Sequence, residues 1–354
     1  MGYLFRFLND NIKRVFNMPS SPFLLNYSIT LRCNLGCRYC GVSRLKDNYA
    51  KDELSPEDIA LFLRDRKLQK LDVIAVSGGE PFLKKDLADI LLVFQKMAAP
   101  KIFHITTNGY LGEEIVESIC FLKTKGLNLH LKVSIDDIGE RHDALRGKDG
   151  SFRHALLTVQ RLKRKFSQKE LFIGINQTIF EENYSSIDEV KRLALGLGCA
   201  YRGFIGLKKR PLYSGVMEEN YGLVDLGPEA AEYIKDSLKE NSSLRFRRQD
   251  GGFGFIEELV LRHYLKGQIR MLEQKGGNKH RCMNLFTHFR LNPNGDIIAC
   301  SYDLEVLGNI RQENYSSIVN KRHTYDKMRK IKSCGRCWLG CEVSPNFVSS
   351  LFAF

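Results

Sequence analysis

Three cysteines near the start of the chain stand at a spacing that suits a metal cluster. Cys33, Cys37 and Cys40 form the pattern C-x3-C-x2-C. Three thiolates on one loop can each bind one iron of a [4Fe–4S] cluster and leave the fourth iron open to a small molecule. A structural zinc site usually takes a fourth protein ligand, and residues 26–48 contain no histidine and no further cysteine. The spacing therefore favours an iron–sulfur cluster with one open coordination position.

Five more cysteines crowd the last quarter of the chain. Two of them flank a predicted hairpin over residues 286–299, whose turn is the Asn-Pro-Asn-Gly segment 292–295. The candidate metal ligands of this group are Cys282, Cys300, Cys334, Cys337 and Cys341. A second [4Fe–4S] cluster needs four thiolates at most, so one cysteine is left over, and the C-x2-C spacing favours Cys337 over Cys341. A structural zinc knuckle is the alternative, because C-x2-C pairs bind zinc as well.

The composition of the chain bears on the compartment in which these cysteines work. The 354 residues are 43% hydrophobic and 27% charged, which is typical of a globular protein and excludes collagen-like and disordered classes. No stretch reaches the roughly 20 apolar residues of a membrane span, and residues 1–20 lack a signal-peptide pattern. We therefore expect a cytoplasmic protein, in which clustered thiols indicate metal binding rather than disulfides. The net charge of +13 favours anionic partners without choosing among nucleic acid, phosphorylated metabolites and lipid.

Alternating hydrophobic patterns predict six β/α repeats after the first 24 residues. Short β-like runs alternate with longer helix-like ones. The predicted strands cover residues 25–30, 71–76, 102–106, 129–135, 171–179 and 201–205. The predicted helices cover residues 56–65, 86–96, 113–124, 151–165 and 186–197. This order predicts an α/β fold in which a parallel sheet curves into a partial (β/α)6, TIM-like barrel.

Polar residues follow several of these strands, at the edge of the sheet where such folds carry their chemistry. The turn Ser-Gly-Gly-Glu-Pro over residues 77–81 comes after the second strand. Its glycines permit close approach of the backbone, and the Glu80 carboxylate can accept hydrogen bonds from an ammonium group. Asn108 follows the third strand and Ser134 lies in the fourth. Arg146 comes shortly afterwards, where an ordinary ion pair at a helix end is the alternative interpretation.

The first cysteine loop and these turns resemble those of the radical S-adenosylmethionine (radical SAM) superfamily. In that family a C-x3-C-x2-C loop after the first barrel strand holds a [4Fe–4S] cluster, whose open iron chelates the amino and carboxylate groups of SAM. The resemblance implies cluster ligands at Cys33, Cys37 and Cys40 and SAM contacts at Tyr39, Gly78, Gly79, Glu80, Asn108, Ser134 and Arg146. Tyr39 is expected beside the adenine, Ser134 at the ribose or carboxylate, and Arg146 at the carboxylate. The Gly-Gly-Glu turn is expected to hold the amino group.

The same resemblance implies a reaction and a partner. Family members reduce the cluster, cleave the SAM sulfonium to a 5′-deoxyadenosyl radical and use that radical to take a hydrogen atom from a substrate. A flavodoxin- or ferredoxin-type reductant is therefore expected. The C-terminal cysteines are similar to the auxiliary-cluster extensions termed SPASM and twitch domains. A full SPASM domain, with two auxiliary clusters, needs more cysteines than the five present, so the resemblance implies one auxiliary [4Fe–4S] cluster.

The pattern along the chain predicts five segments. They are an amphipathic helix at 1–24, the radical SAM barrel at 25–225, a basic linker and helical segment at 226–280, a SPASM- or twitch-like hairpin and helix module at 281–345, and an apolar tail at 346–354. The first helix caps the following domain or, alternatively, contacts anionic lipid through residues 1–18. The basic segment is a solvated linker or, alternatively, turns some of its cations toward an anionic substrate.

The sequence leaves the substrate open. We expect a small metabolite or sugar, or a lipid-linked sugar, because a single auxiliary cluster fits such enzymes. Peptide modification, by a maturase of ribosomal peptides or sulfatases, is the alternative; about 24 residues before the first strand are too few for a leader-peptide-binding domain. A remote alternative is a non-catalytic iron–sulfur or zinc protein that binds nucleic acid. The polar turns have no role in such a protein, so no stable nucleic-acid partner is expected. No catalytic acid or base is identified.

Overall fold

The computed structural model describes residues 2–42, 52–206, 225–243, 254–273, 282–301 and 303–334. Only the backbone is described at residues 2–8, 241–243 and 254–261. Two predicted metal ligands, Cys337 and Cys341, lie outside these ranges, and so does the predicted apolar tail at 346–354.

One sheet of nine strands forms the centre of the described fold. The strands are β1 (Leu24–Thr30), β2 (Val73–Gly78), β3 (Ile102–Thr107), β4 (Leu129–Ser134), β5 (Phe172–Ile179), β6 (Ala200–Ile205), β7 (His288–Leu291), β8 (Asp296–Cys300) and β9 (Asp303–Asn309). Their order across the sheet is β6-β5-β4-β3-β2-β1-β7-β8-β9, and the sheet is open. Strands β1 to β6 are parallel, so their carboxyl ends share one edge. The predicted α/β fold is confirmed.

Helices connect the parallel strands and flank the sheet. They are α1 (Gly2–Val15), α2 (Pro56–Phe62), α3 (Leu87–Met97), α4 (Gly112–Thr124), α5 (Glu140–Arg146), α6 (Ser151–Lys165), α7 (Ile187–Gly196), α8 (Pro228–Ser243), α9 (Gly254–Leu272), α10 (Tyr315–Val319) and α11 (Arg322–Lys332). Local sequence explains where they begin. At α2, the Ser55 hydroxyl accepts from the Asp58 N–H at 3.2 Å, the Asp58 carboxylate accepts from the Ser55 N–H at 2.9 Å, and Pro56 occupies the first turn.

The two faces of the sheet differ sharply in polarity. Residues of one face, such as Ile74, Phe103, Leu131 and Ile175, have no exposed surface and share a single core with helices α2, α3, α4, α6 and α7. Side chains alternate along a strand, so the residues between them point to the opposite side. We term that side, to which His104 belongs, the inner face. The helices that connect the parallel strands and share this core lie on the other side because such crossovers have one hand.

The C-terminal hairpin extends the same sheet. Strands β7 and β8 are antiparallel, as predicted, and Gly295 in their turn has a φ of +93°. Strand β7 also pairs in parallel with β1, and His288 lies beside Leu24. Strand β9 and helix α5 lack a clear sequence pattern and were not expected, whereas α8 and α9 lie in the segment at 226–280, for which helical structure was predicted. The domain boundaries stay a prediction.

The N-terminal helix packs beside the cysteine-rich region. Arg14 is buried, and its Nε and Nη2 donate to the carbonyl oxygens of Cys282 at 3.1 Å and Lys332 at 3.2 Å. Lys332 Nζ in turn donates to the carbonyl oxygen of Val15 at 2.7 Å. A helix is present here over Gly2–Val15, shorter than the predicted segment 1–24, and the C-terminal region contacts its Arg14 side chain. Among the described residues, no helix is long and apolar enough to cross a membrane.

Candidate functional site

The cysteine loop follows β1 and rests on the end of helix α5. The Gly36 N–H donates to the carbonyl oxygen of Arg146 at 3.1 Å, and the Arg38 N–H donates to that of Leu145 at 3.0 Å. These carbonyl groups at a helix end would otherwise lack a partner within the helix. Gly147 has a φ of +64°, and a Cβ there would lie 2.3 Å from the Gly36 carbonyl oxygen. Only glycine permits this approach.

The three thiols of the loop lie near each other and near two polar side chains. Cys33, Cys37 and Cys40 are all half-buried. Burial raises the pKa of the Cys33 thiol to about 11, and repulsion by the other two sulfur atoms contributes to the rise. Asn108 Nδ2 lies 3.9 Å from Cys33 Sγ, and Arg146 Nη1 lies 3.9 Å from Cys37 Sγ. Such donors favour the negative sulfur of a cluster ligand, so the site fits an iron–sulfur cluster.

The arrangement of these thiols differs from that of a single-ion site. Across the described ranges, no group of three His, Cys, Asp or Glu side chains is placed to hold one metal ion. The ligands of a zinc ion must all lie about 2 Å from one centre. The thiolates of a [4Fe–4S] cluster bind different irons at separate corners, so they need not converge.

Glu80 is a buried acceptor that joins the second and third β/α repeats. Its carboxylate has no exposed surface. It accepts from the Asn108 N–H at 2.7 Å, the Thr107 hydroxyl at 2.8 Å and the Phe82 N–H at 3.3 Å. Burial raises the pKa of Glu80 to about 7, although the three hydrogen bonds act in the opposite direction. A carboxylate has about four lone-pair positions, so one remains for a further donor.

The two glycines before Glu80 bring their turn against the cysteine loop. A Cβ at Gly78 would lie 2.2 Å from the carbonyl oxygen of Thr30, and one at Gly79 would lie 2.0 Å from that of Arg32. The Gly79 N–H donates to Thr30 O at 2.7 Å. The close approach expected from the sequence is therefore made to the backbone at the end of β1.

Asp136 is the site residue that sequence reasoning missed. It has no exposed surface, and its carboxylate accepts from the Tyr39 hydroxyl and from the Thr178 N–H at 2.8 Å. Arg146 Nε lies 2.7 Å from Asp136 Oδ2, the oxygen that also accepts from the Tyr39 hydroxyl. The Asp136 N–H donates to His142 Nδ1 at 3.1 Å. The available signal was its position two residues beyond Ser134, just past the end of β4.

Of the predicted SAM contacts, Tyr39, Arg146 and Asn108 lie beside the cysteine loop, whereas Ser134 does not contact them. Tyr39 packs against Phe180 with ring centroids 4.5 Å apart and the ring planes tilted by 31°, and the Arg146 guanidinium lies 5.8 Å from the centre of the Tyr39 ring. Asn108 is tied to the cysteine loop, because its Nδ2 donates to Asn34 Oδ1 at 2.8 Å. Ser134 lies apart from these contacts, at the end of β4. Its partner in the sheet is Asn176 on β5.

The second cysteine group is only partly described. Cys282 and Cys300 are half-buried, and Cys334 is exposed just after α11. Cys300 ends β8, next to Asp303 of β9. The choice of four ligands among the five cysteines stays a prediction.

Two family models match the chain. The first, for the radical SAM superfamily, matches residues 27–194. The second, for an iron–sulfur cluster-binding domain termed SPASM, matches residues 282–341. The matched segments contain the first and the second cysteine group, respectively.

Two curated relatives align with most of the chain. The AdoMet-dependent heme synthase of Methanosarcina barkeri is 26% identical over 336 residues, which are 90% of this chain and 89% of that protein. The antilisterial bacteriocin subtilosin biosynthesis protein AlbA of Bacillus subtilis is 24% identical over 314 residues, or 84% of this chain. The alignment covers 60% of AlbA.

A solved structure shares the fold. The crystal structure of Streptococcus suis SuiB bound to S-adenosylmethionine matches with a TM-score of 0.59 at 16% identity, covering 90% of this chain and 70% of SuiB. The likeness supports the partial-barrel architecture. The chain therefore carries a radical SAM domain and a SPASM-type domain, and it is an enzyme whose cofactors are SAM and [4Fe–4S] clusters.

Proposed function

We propose that this enzyme cleaves SAM reductively at the Cys33 loop and removes a hydrogen atom from a small substrate. The observation that carries the proposal is the position of Arg146. Its guanidinium lies 3.9 Å from Cys37 Sγ and 5.8 Å from the centre of the Tyr39 ring. A cation and an aromatic ring thus stand beside the thiol loop, as binding of a carboxylate and an adenine beside the cluster requires.

Each residue of the site has a proposed task. Cys33, Cys37 and Cys40 bind three irons, and Arg146 pairs with the SAM carboxylate. Tyr39 packs against the adenine. When bound, the cluster and SAM supply one-electron cleavage of a carbon–sulfur bond, which yields methionine and a 5′-deoxyadenosyl radical that takes the hydrogen atom.

The remaining predicted contacts are proposed to complete the SAM site. The Gly78-Gly79-Glu80 turn accepts from the SAM ammonium, through the backbone or the free position on the carboxylate. Asn108 keeps this turn and the cysteine loop together, since it contacts both. Ser134 is placed for the ribose or carboxylate. A flavodoxin- or ferredoxin-type protein is the proposed electron donor.

For the substrate we favour a small metabolite. The M. barkeri relative, named a heme synthase, supports this choice because the alignment covers about nine tenths of both chains. Peptide modification is the second candidate, and it is supported by AlbA, which is named for biosynthesis of a bacteriocin. A lipid-linked sugar is a variant of the first candidate, motivated by the exposed apolar residues of α1.

SAM cleavage without added substrate tests the reaction. Protein reconstituted without oxygen is given SAM and dithionite, and 5′-deoxyadenosine is measured by chromatography. We expect product from the wild type and from Cys199→Ala, a control that removes a buried thiol of the core. Cys37→Ala should abolish it. Product formation by Cys37→Ala at the wild-type rate, or none by the wild type, would contradict the proposal.

A further inference from the structure

The charged side chains on strands β1 to β7 are all of one sign. These seven strands, all within the described ranges, contain no aspartate and no glutamate. Their basic and imidazole side chains are His104, His130, Lys132, Arg202, His288 and Arg290. Each of them belongs to the inner face, opposite the helices, as the burial alternation and the strand registers show. The seven strands therefore contribute positive charge and no negative charge to this face.

The strand registers place the strongest cations near the cofactor edge. Ser134, Asn176 and Arg202 lie side by side on β4, β5 and β6. Lys132 is the preceding inner-face residue on β4. Strands are about 4.8 Å apart, so the backbones of β4 and β6 are separated by about 10 Å. The long side chains of Lys132 and Arg202 can therefore reach one ligand between them.

Imidazole rings continue this surface away from the cofactor edge. His104 and His130 are paired across β3 and β4, and their ring centroids are 5.1 Å apart. His130 also contacts Phe172, at 4.8 Å. These half-buried rings provide hydrogen-bonding groups and flat apolar surface below the two cations.

Two described acids at the carboxyl-end edge of the sheet are engaged by other groups. Glu80 and Asp136 lie beyond the carboxyl ends of β2 and β4, outside the strands. Glu80 accepts three hydrogen bonds from the second and third repeats, and Asp136 pairs with Arg146. Lys132 and Arg202 do contact other groups of the chain, so an anion would add to those contacts.

We propose that the inner face, through Lys132 and Arg202, binds the carboxylate or phosphate groups of an anionic substrate. This inference deepens the proposed function, on which it rests for the reaction, although anion binding itself does not need SAM. An anion at Lys132 and Arg202 would hold the rest of the molecule below Ser134, where the radical is expected. Helix α9 borders this region, because its Tyr264 packs on the inner-face residue Phe204 with ring centroids 5.8 Å apart. Exclusion of water there would strengthen charge pairing.

Direct binding measurements test the site. The probes are pyrophosphate for phosphates and citrate for carboxylates, titrated calorimetrically into the reconstituted full chain without SAM. We compare the wild type with the double variant Lys132→Gln, Arg202→Gln. The matched control is Arg164→Gln, Lys165→Gln, which removes the same two charges from the exposed end of α6. The double variant Lys132→Arg, Arg202→Lys retains both charges and shows whether the region still folds.

The site is supported if at least one probe binds the wild type and the other two variants. In the Lys132→Gln, Arg202→Gln protein, binding of that probe should be weakened about tenfold or more. The probe that binds identifies the class of anion. Failure of both probes to bind the wild type would overturn the proposal, and so would equal binding by the Lys132→Gln, Arg202→Gln protein.

The SAM-cleavage assay on the wild type keeps the two proposals distinguishable. Anion binding without SAM cleavage would contradict the proposed reaction and leave the anion site in place. SAM cleavage without anion binding would support the proposed reaction and contradict the anion site.

Discussion

The Arg146 guanidinium and the Asp136 carboxylate form an ion pair that is almost entirely buried, with Nε 2.7 Å from Oδ2. The pair joins two parts of the chain that meet at the cysteine loop. Asp136 holds the Tyr39 hydroxyl, and the carbonyl oxygen of Arg146 holds the Gly36 N–H. Asp136 is therefore a positioning residue for the loop that carries the thiols.

Replacement of Asp136 by asparagine should destabilise the protein. The substitution leaves the Arg146 charge buried without its partner, which costs about 3 kcal/mol in the free energy of unfolding. Urea denaturation without oxygen measures this value. The control is Arg329→Gln, which breaks the exposed pair with Asp326, 3.4 Å long, and should cost about 1 kcal/mol or less. Equal losses in the two variants would show that the buried pair has no special role.

Replacement of Gly79 by alanine should disturb the contact between the Gly-Gly-Glu turn and the cysteine loop. The new Cβ would lie 2.0 Å from the Arg32 carbonyl oxygen, so one of the two backbones must move. We expect a loss of about 2 kcal/mol or more in unfolding free energy, together with reduced SAM cleavage. Gly196→Ala is the matched control, because a Cβ there meets nothing within 4 Å and the residue lies in helix α7. An unaffected Gly79→Ala protein would refute the close approach of the two loops.

Glu80 should make the stability of the cofactor-free chain depend on pH. Burial raises its pKa from 4.5 to about 7, so between these pH values the folded chain holds a proton that the unfolded chain releases. The stabilisation is complete below the unfolded pKa and is lost as the pH rises through about 7. The urea concentration at the unfolding midpoint should therefore fall between about pH 5.5 and about pH 8.5. The fall should be larger in the wild type than in Glu80→Gln. Parallel behaviour of the two proteins would mean that Glu80 titrates normally.

Metal content should report two clusters. Wild-type protein reconstituted without oxygen is expected to contain about 8 irons and no zinc per chain. The triple variant Cys33→Ala, Cys37→Ala, Cys40→Ala should retain about 4 irons. Single alanine variants at Cys334, Cys337 and Cys341 then identify the unused thiol, with Cys199→Ala as the control. About 4 irons with one zinc in the wild type would instead assign a structural zinc site to the C-terminal region.

The exposed apolar residues of α1 and the turn after it should bind anionic membranes. Ile12, Val15 and Phe16 are 57%, 60% and 68% exposed, and the adjacent Lys13 adds positive charge. We expect co-sedimentation with vesicles that contain anionic lipid, lost in the variant Val15→Ser, Phe16→Ser. Leu195→Ser, which removes a 58% exposed leucine from α7, is the control. No sedimentation of the wild type would exclude peripheral membrane contact through residues 1–18.

Local sequence was enough to predict the elements that carry the site. The six parallel strands and the helix at residues 151–165 follow from hydrophobic periods of two and 3.6 residues. The cysteine spacing and the Gly-Gly-Glu turn are equally local, since the atoms that matter are close in the chain. The amino-acid sequence by itself therefore determined the type of fold, the position of the thiols and the class of cofactor.

Tertiary structure decided how distant residues meet. Three relationships have no signal in any short segment of the sequence. They are the contacts of Asp136 with Arg146 and Tyr39, the pairing of β7 with β1, and the position of Lys132 and Arg202 on one face. The last two depend on strand register, because a shift of one residue would turn every side chain of a strand to the other face. Register is set by packing across the whole sheet, which no local pattern specifies.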